Sequence, residues 1–73
     1  MTPDVANRVI ASFTQEIRVL LDTALKAAQA ADVCASAGVP NQAVTILLDV
    51  EQPIYEATTL LNAVSLVHRM QRE

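Results

Sequence analysis

Apolar residues recur in alternating steps of four and three along almost the whole chain, with one interruption at Gly38–Val39–Pro40. This spacing is typical of a helix that buries one stripe of side chains against a partner helix. The first stripe consists of Ala6, Ile10, Phe13, Ile17, Leu20, Ala24, Ala27, Ala31 and Cys34. The second consists of Ala43, Leu47, Val50, Ile54, Ala57, Leu61, Val64 and His68. The pattern predicts an all-α chain with two helices that pack against each other.

Residues with strong positional preferences mark the ends of these helices. Thr2 is suited to the N-cap and Pro3 to the first helical position, so helix 1 is expected over about residues 3–35. Gly38 suits the left-handed residue after a helix, which places a turn at about 36–40 and helix 2 at about 41–70. We therefore interpret residues 1–73 as a single helical-hairpin domain.

Pro53 leaves two alternatives for helix 2. Proline removes one backbone hydrogen bond and its ring clashes with the carbonyl group four residues back, which here belongs to Asp49. The helix is therefore either kinked or split at Pro53. The second stripe keeps its phase through the proline, which favours a kinked, continuous helix.

A short connection makes the two helices antiparallel neighbours, and a turn centred near Gly38 pairs residue i with about residue 76 minus i. The alanines of helix 1 then lie opposite bulky residues such as Leu47. Near the open end, Phe13, Ile17 and Leu20 lie opposite residues 55–63. Small side chains face large ones in this register, which supports it.

Helix 2 carries more apolar surface than helix 1 can cover, because Ile46, Pro53, Leu60 and Val67 form an additional stripe at the same period. Large exposed apolar patches mark contacts with another chain. We expect two hairpins to assemble as a homodimeric four-helix bundle, although another helical protein could supply the other two helices. The expected interface residues are Phe13, Ile17, Leu20, Ile46, Leu47, Val50, Ile54, Tyr55, Leu60, Leu61, Val64 and Val67.

Composition supports assembly and argues against catalysis. The chain has 73 residues and one cysteine, so no internal disulfide can compensate for its small core. With one glycine it has no phosphate-binding loop, and it lacks the spacings of metal centres and hydrolase triads. Cys34 and His68 lie at opposite ends of the hairpin, about 40 Å apart at 1.5 Å per residue. We expect no enzymatic activity, no catalytic residue, no metal and no cofactor.

Basic residues gather at the open end of the predicted hairpin. Arg8, His68, Arg69 and Arg72 form a possible polar docking cluster there, and Arg18 lies further in. In length and hairpin layout the chain is similar to two groups of small bacterial proteins, the Rop-type RNA regulators of plasmids and the hairpin chaperones of type III secretion. The first similarity implies RNA binding through Arg8, Arg18, Arg69 and Arg72. The net charge of −3 argues against nucleic acid or an anionic membrane as the main partner.

The chain start has neither a basic segment nor an apolar segment of the kind found in signal peptides. Asp22, Lys26 and Asp32 interrupt the most apolar stretch, so no transmembrane helix is expected. One unpaired cysteine fits the reducing cytoplasm. The function that these features favour is a small regulator, adaptor or chaperone that dimerises or docks on a helical partner.

Overall fold

A computed structural model describes residues 2–72 of the chain and the side chains of residues 2–71. It contains α1 (Pro3–Ser36), α2 (Pro40–Leu48) and α3 (Glu51–Arg72), and no strand among the described residues. α1 packs against both α2 and α3, and the resulting hairpin measures 53 × 15 × 13 Å between its Cα extremes. The predicted all-α hairpin is confirmed, with α2 and α3 forming one bent second arm.

The start of α1 and its unbroken length both follow from its sequence. The Thr2 hydroxyl accepts a hydrogen bond from the Val5 amide at 3.3 Å, and Pro3 occupies the first turn, where its missing N–H costs nothing. Asp4 places negative charge near the positive end of the helix dipole. No glycine or proline follows until Gly38, so α1 runs unbroken for 34 residues.

The turn between the two arms is a Schellman motif. The Val39 amide donates to the Cys34 carbonyl at 2.9 Å, and the Gly38 amide donates to the Ala35 carbonyl at 3.2 Å. Gly38 has φ of +83°, a left-handed conformation that side chains with a Cβ disfavour. Pro40 then starts α2 as its first residue, one residue before the start predicted at about residue 41.

The second arm bends just before Pro53. Asp49 and Val50 lie between α2 and α3, and their amides donate to carbonyl groups three residues back, at 3.1 and 3.0 Å. Asp49 is the residue whose carbonyl the ring of Pro53 would meet in a straight helix, which explains the position of the bend. Pro53 itself becomes the third residue of α3, in the first turn, where an N–H has no helical partner.

The buried stripe of α1 is the predicted one. All nine of its residues are buried or half-buried, from Ala6 at the open end to Cys34 at the turn. The second arm differs from the prediction. There the stripe that faces α1 continues through the additional apolar positions and consists of Ala43, Ile46, Val50, Pro53, Ala57, Leu60, Val64 and Val67.

The expectation that Leu47, Ile54, Leu61 and His68 face α1 is therefore wrong, since all four are exposed. Both candidate stripes share four residues and have the same period, so spacing alone does not distinguish them. The two alternatives differ by a rotation of the second arm of about 50° about its own axis. The one sequence signal that favoured the observed stripe was at its end, where the predicted stripe has the polar His68 and the observed stripe has Val67.

The hairpin buries only small side chains. Among the described residues, the core consists of Ala6, Ala24, Ala31, Ala43, Val50, Ala57 and Val67. Every larger apolar side chain in the described part of the chain keeps part of its surface in water. The α1–α2 and α1–α3 contacts thus form a narrow seam rather than a filled core.

Candidate interaction surface

The two sides of the seam differ in chemistry. One side holds a recess of about 150 Å³ lined by Ile17, Leu21, Ile54, Ala57, Thr58 and Leu61. Thr58 supplies the one polar side chain of this lining. No charged residue lines the recess. Covering it with another apolar surface, which removes it from water, is therefore favourable.

The opposite side holds a recess of about 290 Å³ lined by Glu16, Leu20, Tyr55, Glu56, Thr59 and Leu60. Glu56 accepts a hydrogen bond from the Gln52 side chain at 2.9 Å. Leu20 and Glu56 lie together here, as the predicted register requires. Two carboxylates flank this recess, which makes it a poorer site for burial against another apolar surface.

The apolar side extends beyond its recess into a larger surface, which we call the leucine face. Its members are each between 48 and 55% exposed, and they are Leu21, Leu25, Leu47, Ile54 and Leu61. Leu21 belongs to α1, while Leu47, Ile54 and Leu61 follow the second arm at intervals of seven residues. That interval keeps them on one side of the helix across the bend.

Charged residues border the leucine face without entering it. Arg18 and Asp32 lie seven residues before and seven residues after Leu25, so the three occupy one line along α1. Both charged side chains are exposed. Asp22 and Lys26, which point away from the seam, form an exposed ion pair at 3.4 Å. The border of the face therefore carries charges of both signs.

The residues predicted to form an interface fall into two groups. Phe13, Ile17, Leu20, Ile46, Val50, Leu60, Val64 and Val67 are buried or half-buried in the seam of a single hairpin. Leu47, Ile54, Tyr55 and Leu61 are exposed and remain available to a partner. Leu21 and Leu25 complete the leucine face but were absent from that prediction. Their place beside the α1 stripe was the signal that could have identified them.

The predicted polar cluster is partly visible. Arg8, His68 and Arg69 are exposed near the open end of the hairpin, where α1 begins and α3 ends. The side chain of Arg72 lies outside the described residues. Arg18 is exposed but borders the leucine face instead.

Cys34 is half-buried near the turn and is a free thiol. Among the described residues, no group of three or more His, Cys, Asp or Glu side chains is arranged to hold a metal ion. No helix within residues 2–72 has the length and apolar character needed to cross a membrane.

Comparison of the chain with known protein families, curated proteins and solved structures finds no match.

Proposed function

We propose that this chain is a non-enzymatic helical interaction module, a regulator, adaptor or chaperone that acts by dimerising or by docking on another helical protein. The observation that carries the proposal is the absence of any large, fully buried side chain among the described residues. Burial of a whole Leu, Ile or Phe contributes about 1.5–3 kcal/mol, whereas the alanines that dominate this core contribute far less. A second set of helices would complete the burial of its half-exposed residues.

The size of the exposed surface supports the same proposal. The chain exposes 5418 Å². A compact monomer of its mass, 7.9 kDa, would expose about 4,400 Å². The excess of about 1,000 Å² is close to the roughly 800 Å² that each partner buries in a standard protein–protein interface.

The dimension of the hairpin also fits half of an assembly. Its radius of gyration is 16.6 Å, compared with about 11 Å for a compact 73-residue domain. Addition of two helices beside an existing pair thickens the particle without lengthening it. A four-helix bundle is the arrangement in which every helix of this length gains two neighbours.

Light scattering on the purified chain, combined with circular dichroism, tests the proposal. We expect a helical species with twice the chain mass at micromolar concentration, or a poorly folded chain that becomes helical with its partner. A helical monomer that unfolds cooperatively at micromolar concentration would contradict the proposal, because such a chain would be stable without another set of helices.

RNA binding is a second candidate, which the exposure of Arg8, Arg18 and Arg69 supports. A gel-shift titration with structured RNA at low salt tests it, because phosphate contacts strengthen as salt is removed. Unchanged RNA mobility would eliminate it. For either function we propose a cytoplasmic location, on the basis of the free Cys34 thiol.

A further inference from the structure

We infer that the leucine face binds the leucine face of a second copy of this chain. The two hairpins point in opposite directions, and the two-fold axis of the dimer lies at the level of Leu25. This inference rests on the proposed function and adds the face, the occupant and the orientation. Area is the first argument. Antiparallel copies that cross at Leu25 overlap over about residues 13–37 of α1, or about 36 Å at 1.5 Å per residue. Across the 15 Å width of the hairpin this covers about 540 Å² in each copy, and the total of about 1,100 Å² exceeds the roughly 1,000 Å² that a specific interface needs.

Charge selects the leucine face over the opposite side of the seam. A symmetric dimer places the same surface of both copies in contact. On the opposite side this would place Glu16 and Glu56 of both copies, four carboxylates in all, in one interface. Like charges in close apposition oppose association. The recess of the leucine face has no charged lining residue.

Charge also selects the orientation. Arg18 and Asp32 lie at equal distances on either side of Leu25 along α1. When two α1 helices cross in opposite directions at Leu25, Arg18 of each copy faces Asp32 of the other. The dimer then contains two oppositely charged pairs at its border. Hairpins that point in the same direction would instead place Leu25 against Glu51, because the register pairs these two levels.

The second arm fits the same axis. Glu51 lies at the level of Leu25, so Leu47 and Ile54 fall on either side of the axis, and Leu47 of one copy packs beside Ile54 of the other. The two Glu51 carboxylates approach each other near the axis, which gives the dimer one unfavourable pair. Glu51→Gln is therefore expected to strengthen the dimer.

Two charge-reversed chains test this arrangement. Arg18→Asp replaces both oppositely charged pairs with pairs of carboxylates, and Asp32→Arg replaces them with pairs of guanidinium groups. Each variant alone is expected to dimerise about tenfold more weakly than the natural chain at low ionic strength. An equimolar mixture restores both attractive pairs, but only in the mixed dimer. Native mass spectrometry should therefore detect more mixed dimer than the half expected from random pairing.

The outcomes separate this inference from the proposed function. If the natural chain is a dimer but the mixture pairs at random, the assigned orientation is wrong and the interaction module stands. If the natural chain is a folded monomer, both are wrong. Helical content of each variant, measured by circular dichroism, controls for unfolding, because both positions are exposed in the hairpin.

Discussion

Replacement of Ile54 by aspartate should separate the proposed dimer while leaving the hairpin helical. Ile54 is 48% exposed in the single hairpin and lines the recess of the leucine face. Burial of its remaining surface against a second copy contributes about 1 kcal/mol, half of the value for a whole side chain. A dimer of the variant therefore loses about 2 kcal/mol of association free energy, because it contains two such positions.

The introduced carboxylates add a larger cost. Removal of a carboxylate from water without a partner costs several kcal/mol, and the dimer contains two of them. The total for Ile54→Asp is at least about 5 kcal/mol, which raises the dimer Kd more than a thousandfold. Sedimentation equilibrium over a range of chain concentrations measures this change.

Leu66→Asp is the matched control. Leu66 is 51% exposed, so both substitutions remove a similar amount of apolar burial within the hairpin. Leu66 lies on the side of α3 that faces away from the leucine face. Aspartate near the C-terminal end of α3 also opposes the helix dipole, whereas aspartate near its N-terminal end is favourable. Leu66→Asp should therefore weaken the hairpin at least as much, but the dimer far less.

A milder variant keeps the experiment decisive if Ile54→Asp unfolds the chain. Ile54→Ala introduces no charge and should raise the dimer Kd about tenfold to thirtyfold, from about 1 kcal/mol lost in each copy. Equal dimer affinities for the Ile54 variants and the natural chain would refute the assignment of the leucine face. A larger effect of Leu66→Asp would point to the opposite side of the hairpin.

Three further substitutions, one of them with a matched control, test the hairpin itself. Gly38→Ala should lower the free energy of unfolding by about 1 kcal/mol in urea titrations, because φ is +83° and no atom lies within 4 Å of the added Cβ. An unchanged value would contradict the left-handed turn. Ala31→Leu should destabilise the chain by about 1–3 kcal/mol through overpacking, whereas Ala30→Leu, at an exposed neighbour, should change it little; equal effects would contradict the seam. Pro53→Ala restores an amide that can donate to the Asp49 carbonyl, so hydrogen exchange around residues 50–54 should slow; unchanged exchange would mean that the proline does not cause the bend.

The sequence predicted the helices and the turn well because those features depend on local chemistry. Thr2, Pro3 and Gly38 each have a strong preference for one backbone position, and the structure places each one there. The stripe of α1 was also predictable. It keeps the helical period without interruption from Ala6 to Cys34, although the apolar Leu21 and Leu25 lie beside it.

The buried side of the second arm was not predictable in the same way. Ile46 and Leu47 are adjacent apolar residues, and either can begin a stripe with the helical period. Which one faces α1 depends on how the two arms roll against each other, a property of the packed pair that spacing does not contain. The position of Leu21 beside the α1 stripe marks it as a surface residue, but the roll of the second arm decides which residues share that surface, here Ile54 and Leu61.

Urea unfolding of the natural chain at two concentrations tests most directly whether the hairpin is half of an assembly. A dimer that unfolds to separate chains gains stability from mass action, so raising the concentration about a hundredfold should add about 2.7 kcal/mol and move the midpoint to higher urea. We expect that shift, together with a particle of twice 7.9 kDa. A cooperative transition with the same midpoint at both concentrations, from a particle of 7.9 kDa, would contradict it.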